Sequence, residues 1–294
     1  MYPDLKNHIG KKIITSDGTT LLGADDKAGI AEIMTMLEYF STTNEKHGDI
    51  CVAFTPDEEI GKGTEYFDLT KFLSTIAYTV DGDSVGQISY ENFNAASAKI
   101  EIEGKTTHAG RGKGIMVNAI MIANALISYM PDETPANTDG YEGFYHLKRI
   151  DGTVSHATLD FIIRDFDSKK FEQRKKLLTD VVEKLNKKYN NRIKLSIKDE
   201  YKNMKTIIEN DMSIVDIATK AMEHVGVTPI IKPVRGGTDG ADLTYKGLPC
   251  PNIGTGGHNF HGVNEYIALE DMEKATEVLI AIVKENVSRK QLTK

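Results

Sequence analysis

Three short apolar stretches in the first third of the chain each end directly on carboxylates. TTLLGA (19–24) runs into Asp25 and Asp26, DICVAFTP (49–56) into Asp57, Glu58 and Glu59, and STIAYTVDGD (74–83) closes on Asp81 and Asp83. Between the first two lies DKAGIAEIMTMLEYFST (26–42), whose apolar residues recur at helical spacing. Short strands, apolar on both faces and interleaved with helices, pack as a mostly parallel sheet with helices on each side. In such a sheet the carboxyl ends share one edge, where open α/β folds place their sites. The expected fold is therefore α/β, with a rim of acids that repel one another unless a multivalent cation lies among them.

From about Asn94 the pattern changes. SAKIEIEGK (97–105) alternates polar and apolar residues, and NAIMIANALISYM (118–130) reads as a helix. GFYHLKRIDGTVSHATLDFIIRD (143–165) reads as a hairpin turning at Asp151-Gly152. A Lys-rich amphipathic helix (169–191) and the strand RIKLSIKDEY (192–201) complete a β-α-β-β-α-β unit with one open sheet face. SIVDIATKAMEHVG (213–226), TPIIKPV (228–234), PCPNIG (249–254) and the helix 268–290 then return to the α/β style. The expected organisation is an α/β domain over 1–94 and 205–294, interrupted by an inserted α+β domain over 95–204.

The 294 residues, 40% hydrophobic and 27% charged, suffice for two such domains. A net charge of −7 without a basic stripe argues against nucleic acid as a partner. No apolar run is long enough to span a membrane, and MYPDLKNHIGKK lacks the apolar core of a signal peptide. Cys51 and Cys250 sit in apolar contexts, as reduced core residues of a cytoplasmic protein do.

Late in the chain GTGGHNFHGVNEY (254–266) supplies His258 and His261 from a Gly-rich loop. Carboxylates with imidazole and no thiolate suit Zn²⁺, Mn²⁺ or Co²⁺ in a catalytic site. The adjacent pair Glu58-Glu59 fits that chemistry. Neighbouring side chains on extended backbone point oppositely, so one carboxylate ligates the ion while the other faces a metal-activated water and takes its proton. We read Glu58 as the base and Glu59 as the ligand.

LLGADDKAGIAEIM, FTPDEEIGKG, VDGD, GKTTHAGRGKGIMVNA, PVRGGTDGADLT and GGHNFHGVNE, in that order along the chain, together resemble the peptidase T family, tripeptide aminopeptidases with co-catalytic zinc. The resemblance implies that Asp25 bridges two zinc ions, that Glu59 and His261 complete one site, and that Asp81 belongs to the other. It implies a dimerisation lid in the inserted domain, hence a homodimer. It further implies that His108, Asn118, Arg164 and Arg235 hold the peptide. Arginine presents a fork to a carboxylate, and a histidine donor serves a developing oxyanion.

One family motif is missing. A His-x-Asp should precede the Asp25 equivalent, yet His8 is followed by Ile9-Gly10, and the sole His-x-Asp is His47-Gly48-Asp49. Extended chain at about 3.3 Å per residue places His47 at the far edge of the sheet from Glu58, as a solvated loop residue. The sequence thus reads as a member without its first segment, with a second metal site reduced to Asp25 and Asp81 and an apolar sheet edge exposed. Two further readings stand beside the aminopeptidase. One is an inactive fragment that still pairs with a second subunit. The other is a carboxypeptidase or deacylase of the same clan.

Overall fold

In the computed structural model, which describes residues 3–292, the elements follow in chain order. They are β1 (Ile13–Thr15), α1 (Ala24–Thr42), β2 (Thr79–Gly82), β3 (Gln87–Ser89), β4 (Asn94–Glu103), α2 (Ala119–Tyr129), β5 (Phe144–Gly152), β6 (His156–Asp165) and α3 (Ser168–Tyr189). After them come β7 (Ile193–Tyr201), α4 (Lys205–Ile208), α5 (Ser213–His224), β8 (Ile230–Ile231), α6 (Asp239–Tyr245), β9 (Asn252–Gly254), β10 (Gly257–His258), β11 (Tyr266–Ala268) and α7 (Leu269–Leu292). Two units result. One takes the chain up to Asn92, Met204–Val234 and Thr238 onward; the other takes Phe93–Asn203 with Arg235–Gly237.

The inserted unit is an antiparallel sheet in the order β5-β6-β4-β7. Alternation along β4 turns Ala96, Ala98, Ile100 and Ile102 into the core and leaves Lys99 and Glu103 exposed. Helices α2 and α3 cover the inner face, where Leu126 and Leu178 join Ile100, Leu159 and Ile163. Each such side chain contributes about 1.5–3 kcal/mol by leaving water. Asp167 Oδ1 caps α3 by accepting from Lys170 N at 2.8 Å, and Asn190, with φ of 59°, ends it. The hairpin turn falls later than the sequence suggests. Strand pairing runs on to Gly152 opposite Ala157, and residues 153–155 make the turn, closed by Thr153 N donating to His156 O at 2.7 Å.

The other unit holds a sheet in the order β2-β9-β3-β8, with β2/β9 and β3/β8 parallel and β3/β9 antiparallel. Helices α1, α5 and α7 bury Ile88, Ile253, Ala218, Met222 and Val278 against it. A smaller antiparallel sheet has the order β1-β11-β10. Two sequence expectations are corrected. Residues 49–56 form no strand: among the described residues no strand pairs with them, Phe54 is 49% exposed, and unpaired peptide groups cannot make a sheet. Nor do residues 19–24. Asp17 Oδ1 accepts from Thr19 N and folds a turn there, and the paired strand is β1, upstream. The expected strand 74–83 shortens to β2. No described helix is long and apolar enough to cross a membrane.

Gly29 sets how closely α1 approaches β2. A Cβ there would lie 2.1 Å from the Val80 carbonyl oxygen and 2.6 Å from Asp26 Oδ1. Gly29→Ala therefore forces helix and strand apart, and we expect a loss of about 1–3 kcal/mol in urea unfolding, together with weaker metal binding. Unchanged stability would mean that the contact is not tight.

Candidate metal centre

The close packing at Gly29 brings the start of α1 to the end of β2. Asp25 and Asp26 have non-helical backbone angles, so regular helix begins after them. Glu265, 2% exposed, holds this segment in place: its carboxylate accepts from Gly23 N at 2.6 Å and from Asp25 N at 2.9 Å. Glu58 and Glu59 open a short 3₁₀ turn (Glu58–Ile60) after Asp57, whose φ is 64°. His261, with φ of 61°, comes from the loop between β10 and β11. Non-glycine residues in this left-handed region concentrate at functional sites.

Three of the residues expected to bind metal meet. His261 Nε2 is 3.1 Å from Asp25 Oδ2 and 3.1 Å from Glu59 Oε2, and the three donor atoms all lie within 4.8 Å of one another. Asp81 joins them through a hydrogen bond with Asp25. Asp25, Glu58, Glu59 and Asp81 line one cleft of about 500 Å³ with Ile33, Cys51 and Phe54.

The electrostatics of the cluster favours a cation. Burial, and then the charges of Asp26, Asp25 and Glu58, push Asp81 up to about 9. Burial, and then Asp25 and Glu58, push Asp26 up to about 8 against the hydrogen bond from Gly29 N. Without a cation these carboxylates keep their protons; a divalent ion would let them ionise. Oxygen and imidazole donors in this number fit a borderline ion such as zinc. Glu58 is pushed up to about 7, chiefly by burial and then by Asp239, Glu59 and Asp25.

Other expected residues fall elsewhere. His108, Asn118, Arg164 and Arg235 belong to the inserted unit, each with partners there. Asn118 Oδ1 caps α2 from Ile120 N at 2.9 Å, and His108 Nδ1 accepts from Gly110 N at 3.2 Å. Arg164 pairs with Glu200 at 3.3 Å and lies over Tyr201. Arg235 donates to the carbonyls of Gly140 and Glu142 at 2.7 and 2.9 Å and lies over Phe93. Asp83 pairs with Lys232 at 3.0 Å. His47 is exposed, its ring edge-on to Phe40. His258 does not join His261 but sits with His8 and Asp271. Sequence reasoning also missed Glu265 and Asp239. The sign of the first was an acid placed just before the apolar strand Tyr266-Ile267-Ala268. Asp239 accepts from Thr55 Oγ1 at 2.9 Å and stands beside Glu58.

Comparison with known proteins gives a consistent picture. Residues 18–285 match the model of peptidase family M20/M25/M40. The chain is 53% identical over 285 residues to a peptidase T of Caldanaerobacter subterraneus subsp. tengcongensis, covering 96% of this chain and 70% of that one. Among solved structures, aminopeptidase PepT from Bacillus cereus superposes with a TM-score of 0.82 at 30% identity, over 93% of this chain and 74% of that one. A tripeptidase from Staphylococcus aureus gives 0.84 at 26% identity, over 92% and 73%.

Proposed function

The chain belongs to peptidase family M20/M25/M40, and from that membership we propose that it is a zinc-dependent aminopeptidase releasing the N-terminal residue of tripeptides. The observation that carries the proposal is the meeting of Asp25, Glu59 and His261, the first two of which line a cleft together with Glu58. Asp25, Glu59 and His261 would hold one ion, and Asp25 with Asp81 a second. When bound, the ion supplies Lewis acidity, which lowers the pKa of water toward neutrality.

Glu58 is the group we assign to move the proton. It is not needed as a ligand, and its burial among acids makes it a base near neutral pH rather than a weak one. It takes the proton of the attacking water and returns it to the leaving amine. Glu265 positions Asp25 by accepting from its N–H, and the charge of Asp239 helps to raise Glu58. The peptide-holding roles of His108, Asn118, Arg164 and Arg235 are part of the same proposal. Because His108 Nδ1 accepts from Gly110 N, Nε2 is the ring's donor. The inserted unit is proposed to pair two copies of the chain, and two free cysteines suit a cytoplasmic location.

A second reading rests on Asp81. Among the described residues no histidine joins it in a metal-holding group, so the second ion would rest on carboxylates alone and bind weakly. Turnover by this chain is then slow. Assay on a tripeptide after EDTA treatment should give none, and added Zn²⁺ or Co²⁺ should restore it. Cleavage of N-acylated amino acids in preference to tripeptides would replace the aminopeptidase by a deacylase. Binding of metal without turnover would leave the inactive form.

A further inference from the structure

Apart from the centre just described, one other group of side chains among the described residues is arranged to hold a metal: His8, His258 and Asp271. We infer that these three residues form a binding site for one divalent transition-metal ion, separate from the Asp25–Glu59–His261 group.

The site is assembled from distant parts of one unit. A 3₁₀ turn (Pro3–His8) ends on His8, β10 ends on His258, and Asp271 lies in the first turn of α7. Pairing of Ile13 with Ala268, and Leu269 N donating to Lys12 O at 2.9 Å, lay the early segment along the start of that helix. One donor atom from each residue lies within 4.8 Å of the others. The left-handed backbone at Asn259 and His261, with φ of 58° and 61°, sends His258 to this group and His261 to the other.

The rings are held before any ion arrives. His258 stacks on Tyr266 at 4.9 Å with 19° between planes, and His8 meets His258 edge-on at 4.8 Å. His8 is only 9% exposed, and its Nδ1 has no hydrogen-bond partner although Asp271 Oδ2 is 3.3 Å away. A buried imidazole nitrogen close to a carboxylate but without hydrogen-bond geometry to it leaves a donor or acceptor that coordination would satisfy. Two imidazoles and one carboxylate select zinc, cobalt, nickel or copper over magnesium and calcium, which prefer oxygen. Asp271 is also paired through Oδ1 with Lys11 Nζ, whereas Oδ2 faces His8, so an ion at Oδ2 meets the repulsion of a neighbouring ammonium. Once bound, it would tie together segments about 250 positions apart.

The test counts ions on the whole chain with ZnCl₂ and CoCl₂ as probes, by equilibrium dialysis and visible absorption. In a His261→Gln background, which disables the other group, one Co²⁺ should still bind with a d–d spectrum. His258→Gln added to that background should abolish it. Lys11→Met should tighten binding several-fold, because it removes the neighbouring cation. If His258→Gln disturbs folding, the unaltered chain serves instead: substoichiometric Ni²⁺ should broaden the ring resonances of both His8 and His258 in NMR. Equal ion counts with and without His258, or rings untouched by Ni²⁺, overturn the site and reduce it to an aromatic stack with an ion pair. Neither readout depends on peptidase turnover.

Discussion

Glu58→Gln should lower tripeptide turnover by about 10²- to 10⁴-fold while metal affinity stays within about an order of magnitude of the parent. The two effects separate because base and ligand are adjacent but distinct. Glu59 Oε2 is 3.1 Å from His261 Nε2, whereas Glu58 is not one of the three clustered donors. Gln keeps the size of the side chain and removes only its capacity to accept a proton. Glu59→Gln should do the reverse and weaken metal first. Glu58 also adds to the charge that raises Asp81 and Asp26, so its neutralisation costs some attraction for a cation, but less than loss of a ligand. Isothermal titration with Zn²⁺ and initial rates on one tripeptide, measured on the same preparations, settle the matter. Full activity in Glu58→Gln would place the base elsewhere. Loss of metal together with activity would make Glu58 a ligand.

What the sequence made legible was local. The inserted unit could be read because alternation of Ile100 and Ile102 with Lys99 and Glu101, and helical spacing over 169–191, are properties of neighbouring residues. Acids packed at the ends of apolar stretches were legible for the same reason, and three of the four expected metal-binding residues do cluster while Asp81 hydrogen-bonds to Asp25. What stayed hidden depends on distant pairing. Residues 49–56 have the apolar content of a strand, yet pairing requires a neighbour that composition does not reveal. The sheet β1-β11-β10 joins Ile13 to Ala268 through strands of two or three residues, too short to show any period. Glu265 escaped notice because the groups it satisfies are backbone N–H groups some 240 positions away. His258 and His261 look equivalent in GGHNFHG, and only the left-handed turns between them part their roles.

In EDTA the chain should lose stability as pH rises from about 5 to about 9, and Glu32→Gln should remove the part of that loss which metal cannot restore. Glu32 is 1% exposed, and neither carboxylate oxygen has a hydrogen-bond partner. Burial, and then the charge of Asp26, push it up to about 9 from an ordinary 4.5. A carboxyl whose pKa is higher folded than unfolded holds more protons in the native state. Its stabilising effect is complete below the unfolded pKa and fades as pH climbs to the folded one. From 4.5 to pH 7 the loss from Glu32 alone is about 3 kcal/mol, at roughly 1.4 kcal/mol per unit. Asp26 and Asp81 behave alike, but a bound divalent ion would stabilise their charged forms and suppress their share. Glu32 is outside the clustered metal donors, so its share should persist with Zn²⁺ present. Urea unfolding at pH 5, 7 and 9, with and without Zn²⁺, separates the two. The parent should keep a residual fall with pH in Zn²⁺, and Glu32→Gln should be nearly flat there. Parallel slopes for parent and variant would mean that Glu32 is ionised in the folded chain, with a partner that supports its charge.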